Sequence, residues 1–167
     1  MGASAPIIIS LSHKNIKIKH INMVYMKKYY TVIFEGIDKT GKDQLAHYVD
    51  EICGHDMCLP RRGIVSNVAY AKLYGREVPE YDLSNHKHEI YVLLRCSDKT
   101  DWKMRCKLTN EPAIDYEKNV EVFETTWDWF KTVHDPKLCF EYDTCKMTPI
   151  QIARDIVARV NMLNGNN

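Results

Sequence analysis

The stretch Tyr30-Thr31-Val32-Ile33-Phe34-Glu35-Gly36-Ile37-Asp38-Lys39-Thr40-Gly41-Lys42-Asp43 constrains the fold of this chain more than any other. Its first half is a β-branched and aromatic run of the kind that forms a buried strand. Its second half has the glycine and lysine spacing of a phosphate-binding loop. Gly36 and Gly41 let the backbone bend around an anion with no Cβ in the way, successive N–H groups point inward, and Lys42 adds a charge for the outer phosphates. One position departs from the pattern. A Ser or Thr should follow the lysine, to place a hydroxyl on Mg²⁺, and the chain has Asp43.

A chain of 167 residues suits one domain with a proper core, and we expect it over 26–163, between an N-terminal extension (1–25) and a short tail (164–167). Lys and Arg total 23 against 22 Asp and Glu, so net charge does not advertise a nucleic-acid partner. The extension is locally different. No acidic residue precedes Glu35, whereas Lys14, Lys17, Lys19, Lys27 and Lys28 are basic, which suits either a loosely held extension ahead of the domain or an arm for a protein or nucleic-acid partner. The six cysteines contain no Cys-x-x-Cys and read as reduced, structural thiols, which predicts an intracellular protein. No run approaches the roughly 20 apolar residues needed to cross a bilayer, so no membrane partner is expected.

After the first strand, Lys42 to Cys53 reads as a helix with Leu45, Ala46, Val49 and Ile52 inward and Gly54 as its stop. Met57-Cys58-Leu59 is a candidate short strand, and Ile64 to Tyr74 a helix ended by Gly75. The apolar run Glu89 to Leu94 reads as a central parallel strand. Asp98 caps a helix through Lys107, and after a polar break at 108–113 Asp115 caps a second, whose Val120, Phe123, Trp127 and Phe130 share a face. Leu138 to Tyr142 is the last strand. Thr148-Pro149-Ile150-Gln151 combines a capping box with proline at the first helical position. Strands alternating with helices predict an α/β fold with a parallel sheet.

The loop Phe34-Glu35-Gly36-Ile37-Asp38-Lys39-Thr40-Gly41-Lys42 resembles the Phe-Glu-Gly-x-Asp-x-x-Gly-Lys loop of the thymidylate kinase group of P-loop nucleoside and nucleotide kinases. A second segment of that family, Asp-Arg-Tyr followed by Ser and then Ala-Tyr, is similar to Arg61 to Tyr70, where Arg62, Ser66, Ala69 and Tyr70 keep the register. The resemblance spans about residues 29–163. It implies a P-loop NTPase fold, a parallel sheet of about four to five strands with helices on both faces. It also implies that the loop (Gly36, Asp38, Lys39, Thr40, Gly41, Lys42, Asp43) holds the phosphates of ATP. Lys42, Arg62 and Arg105 would be catalytic, and Asp38, Arg62, Ser66 and Tyr70 would meet the acceptor. Lys103, Arg105 and Lys107 fall where the family has its lid.

Two departures bear on metal handling: Asp43 replaces the hydroxyl that ligates Mg²⁺, and Arg61 replaces an aspartate that helps hold it. In an active kinase Asp43 would be the compensating magnesium ligand, gained on one side of the ion for the carboxylate lost on the other. The family's Arg-Glu-Pro acceptor motif is missing before Arg61, which implies a reduced acceptor pocket. The implied function is ATP-dependent phosphoryl transfer to a nucleoside, a nucleotide or a modified base in DNA. The alternative is a degenerate relative that serves as a structural or interaction subunit. An ATPase or GTPase switch fits least, because Arg95 and Cys96 follow the central strand where such proteins carry an acidic metal ligand.

Overall fold

A computed structural model of the protein describes residues 30–54, 59–110 and 115–165. The expected extension (1–25) lies outside the described residues, as do Met57 and Cys58 of the candidate strand and part of the break after Lys107. The elements run β1 (Thr31–Glu35), α1 (Lys42–Cys53), α2 (Ile64–Leu73), β2 (Glu89–Arg95), α3 (Lys99–Leu108), α4 (Tyr116–Val133), β3 (Cys139–Asp143) and α5 (Pro149–Gly165). Single 3₁₀ turns precede β2 and β3.

The strands are parallel in the order β1-β2-β3, with Val32 opposite Ile90 and Val92 opposite Phe140. Because side chains alternate along a strand, one face carries Val32, Phe34, Ile90, Val92 and Leu94, and the other Ile33, Tyr91 and Leu93. The first face packs on Leu45, Ala46 and Val49 of α1 and Ile152, Ile156 and Val160 of α5. The second packs on Val65, Val68 and Ala69 of α2, Trp102 of α3 and Phe123, Trp127 and Phe130 of α4. Each fully buried Leu or Ile side chain contributes about 1.5–3 kcal/mol, so these two apolar layers are what hold the helices to the sheet.

Four to five strands were expected, and the sheet has three among the described residues. Phe34 N–H donates to the Pro60 carbonyl at 2.8 Å, so the chain after residue 58 does run beside β1. Proline has no N–H to return, and the ladder stops there. The capping expectations hold in detail. Asp98 accepts from the backbone of Thr100 and Asp101, Asp115 from Lys118, and Thr148 and Gln151 form their reciprocal pair. Among the described residues no helix is long and apolar enough to cross a membrane.

Candidate functional site

The turn between β1 and α1 is built from backbone that side chains rarely permit. Gly36 has φ +127°, and a Cβ there would lie 2.3 Å from the Leu94 carbonyl oxygen. Lys39 and Gly41 also have positive φ, at 67° and 90°. Thr40 Oγ1 donates to the Ile37 carbonyl at 2.8 Å, closing the turn from inside. From α3, Trp102 Nε1 donates to the Asp38 carbonyl at 2.9 Å, pinning the turn from outside. The loop delivers the chain to Gly41, which caps α1 without a side-chain hydrogen bond. The first-turn N–H groups and the positive helix end thus favour an anion.

Lys42 points back into this turn. Its Nζ donates to the carbonyls of Gly36 and Ile37, both at 2.8 Å, and stands 3.9 Å from Asp38 Oδ1. Burial brings its ammonium down to about 8, although the Asp38 carboxylate opposes that shift. A poorly solvated ammonium gains more from a phosphate oxygen than a fully hydrated one would.

In front of the loop lies a cleft of about 770 Å³, lined by Lys39, Lys42, Arg61, Arg62 and Arg105 with Asp38 and Asp43. Both carboxylates are paired: Arg62 Nη2 to Asp38 Oδ1 at 3.1 Å, and Arg61 Nε to Asp43 Oδ1 at 2.7 Å. A second cleft of about 550 Å³ shares Asp38 and Arg62 with the first and continues over Asn67, Tyr70, Tyr74, Arg76 and Tyr81. Its wall is aromatic and basic. Tyr70 and Tyr74 stack with centroids 6.0 Å apart, and the guanidinium carbons of Arg62 and Arg76 lie 5.0 and 5.2 Å from the Tyr70 and Tyr74 rings. Burial, with Asp38 nearby, holds the Tyr70 phenol above its ordinary range, and among the described residues its buried hydroxyl meets no partner in good hydrogen-bonding geometry.

The structure thus brings together Gly36, Asp38, Lys39, Thr40, Gly41, Lys42, Asp43, Arg62, Tyr70 and Arg105. Ser66 is different. Expected at the acceptor, it is fully buried, and its hydroxyl and N–H both go to Glu35. Lys103 and Lys107 are exposed and do not line the cleft, whereas Arg105 does, held by Asp101 Oδ2 at 2.5 Å and Thr144 Oγ1 at 2.9 Å. Trp102 is only 1 % exposed and serves the loop through its N–H.

Sequence reasoning passed over Glu35. It is wholly buried at the end of β1, where its Oε1 accepts from Val65 N–H and its Oε2 from Ser66 N–H, each at 3.0 Å. The carboxylate therefore caps α2 from another element and fixes the helix that follows Arg61 and Arg62. Burial raises it to about 7 even though the three donors on α2 pull the other way. An acid ending an apolar strand was the available signal, since a buried carboxylate requires nearby donors.

The magnesium that such a loop implies does not fit the residues present. Position 43 carries a carboxylate already held by a guanidinium, position 61 carries that guanidinium, and Asp38 is engaged by Arg62 and Lys42. Elsewhere, Cys96, Asp101 and Cys145 present ligand atoms within 4.8 Å of one another, but Arg105 occupies the Asp101 carboxylate.

The chain is similar to YorR of Bacillus subtilis, whose crystal structure is a complex with phosphorylated GDP. The match covers 81% of this chain and 98% of YorR, at a TM-score of 0.65 and 17% sequence identity. The fold is that of the P-loop NTPases. No known family profile matches the chain, and no curated protein matches it. At this identity the likeness concerns the fold alone.

Proposed function

We propose that this chain binds a nucleoside triphosphate such as ATP over the 36–42 loop. It then passes the terminal phosphoryl group to a nucleoside, a nucleotide or a modified base in DNA lying in the second cleft, as in thymidylate kinase-like enzymes. The observation that carries this reading is the meeting of the two clefts at Asp38 and Arg62. A donor on one side and an acceptor on the other would face each other across a guanidinium, which neutralises charge on a group in transit. Lys42 and the N-terminus of α1 hold the donor phosphates, Arg105 flanks them, and Asp38 accepts a hydrogen bond from an acceptor hydroxyl. The stacked Tyr70 and Tyr74 offer a flat ring a surface. The complex of the similarly folded YorR with phosphorylated GDP supports a nucleotide as ligand. We assign the Lys-rich residues 1–25 to contact with a protein or nucleic-acid partner.

One observation favours a second reading, a nucleotide-binding subunit without transfer: both carboxylates that line the phosphate cleft are already paired with cations. Calorimetric titration of ATP, followed by assay of γ-phosphate transfer to a panel of nucleosides, nucleotides and DNA, separates the two. Transfer to any acceptor establishes the first reading, binding without transfer the second, and no binding removes both.

A further inference from the structure

The two positions that depart from the loop's usual chemistry touch each other. Asp43 opens α1 and Arg61 lies in the connection before α2, 18 residues later, yet Arg61 Nε stands 2.7 Å from Asp43 Oδ1. Both line the phosphate cleft beside Gly41 and Lys42. Where a hydroxyl and a carboxylate would together hold a divalent cation, this chain has a carboxylate and a guanidinium that hold each other.

We propose that the Arg61 guanidinium takes the place of the divalent cation, so that the cleft binds a bare polyphosphate, with Asp43 acting as the positioning residue for Arg61. The proposal rests on the nucleotide reading above. Three features of the cleft support it. Its side chains comprise five cations against two carboxylates, an excess suited to phosphates that retain their full negative charge. Each carboxylate already faces a guanidinium through its Oδ1, so its charge is partly met and the neighbouring cation repels a metal ion. Finally, Arg61 meets Asp43 through Nε at 2.7 Å, and 57 % of the Arg61 side chain is exposed. An exposed guanidinium that lines the cleft can grip two phosphate oxygens at once. The carboxylate sets the direction of the fork.

The experiment is calorimetric titration of the full chain with inorganic tripolyphosphate and with ATP, each in excess Mg²⁺ and in EDTA. We expect tighter binding in EDTA than in excess Mg²⁺, by about tenfold or more, because the cation sequesters the bare polyphosphate that the cleft takes. Arg61→Ala should weaken binding in EDTA by about ten- to a hundredfold, the loss of one charge-assisted contact. Arg61→Asp should create a metal requirement, with binding in Mg²⁺ exceeding that in EDTA by about tenfold or more. Asp43→Asn should keep the parent's preference for EDTA over Mg²⁺. Circular dichroism spectra matching the parent establish that each variant is folded. Binding by the parent chain that requires Mg²⁺, or an Mg²⁺-enhanced affinity that Asp43→Asn abolishes, overturns the proposal while leaving the nucleotide reading intact. Absence of binding in both conditions overturns the two together.

Discussion

Glu35, at the end of β1, accepts the backbone N–H of Val65 at the start of α2 across 3.0 Å, with no water-accessible surface on its side chain. Its pH behaviour follows. Burial lifts the carboxyl from 4.5 in the open chain to about 7 in the fold. A folded value above the unfolded one means that its contribution to stability is complete below about pH 4.5, declines as pH rises and is lost beyond about pH 7; at 1.36 kcal/mol per unit the amount at stake is about 3 kcal/mol. Glu35→Gln removes this titration and also turns an amide N–H₂ toward a backbone donor. Urea unfolding from pH 5 to pH 8 should show the variant's deficit largest at pH 5 and shrinking toward pH 8. A deficit independent of pH would show that Glu35 stays ionised throughout.

Lys42 predicts a second pH dependence, in binding. Its ammonium titrates at about 8 because it is buried. A bound polyphosphate requires the charged form, so affinity should fall by about tenfold between pH 7 and pH 9, with proton uptake on binding near pH 8. Lys42→Met should bind weakly and lose that dependence. Titration in two buffers of different ionisation heat measures the uptake directly.

Trp102→Phe tests the outer anchor of the loop. The substitution keeps an aromatic ring beside Tyr116, whose centroid is 5.1 Å away, but removes the N–H that serves the Asp38 carbonyl. We expect about 1–3 kcal/mol of lost stability from the unpaired carbonyl and the smaller ring. Amide exchange at residues 36–41 should accelerate more than exchange in β2.

Gly63→Ala tests the approach of the Arg61–Arg62 segment to the sheet. A Cβ there would lie 2.7 Å from Ile33 Cγ2 and 2.8 Å from Glu35 Oε1, contacts no real Cβ tolerates. The expected cost is about 1–3 kcal/mol, measured as a lower urea midpoint with an unchanged slope. Gly75→Ala is a poor control because of its φ of +61°. Asn67→Ala, at an exposed α2 position, should cost far less.

Much of the fold was legible because its signals are local. The apolar run at β2, the caps at Asp98, Asp115 and Thr148, and the periodicity of Phe123, Trp127 and Phe130 each act within a few residues, where propensity and hydrogen bonding decide. The Gly36 to Lys42 spacing likewise announced the bent loop, since only a few residue types accept its backbone angles. Less legible was anything that depends on what meets what. Ser66 sits in register with an acceptor residue, yet its hydroxyl goes to Glu35, a partner 31 positions away. Lys103, Arg105 and Lys107 look alike in sequence, and only Arg105 faces Asp101, Thr144 and the cleft.

The chain's own residues determined a parallel α/β core and a loop that turns an uncapped helix end and a lysine toward an anion. Asp43 and Arg61 were visible as two separate losses. Only the tertiary structure made them one feature: the chain at Pro60 lies beside β1, Glu35 and Gly63 seat the start of α2 against the sheet, and the guanidinium arrives 2.7 Å from the carboxylate. Charge complementarity between distant positions is a property of distance, and distance is set by the packing of the whole core.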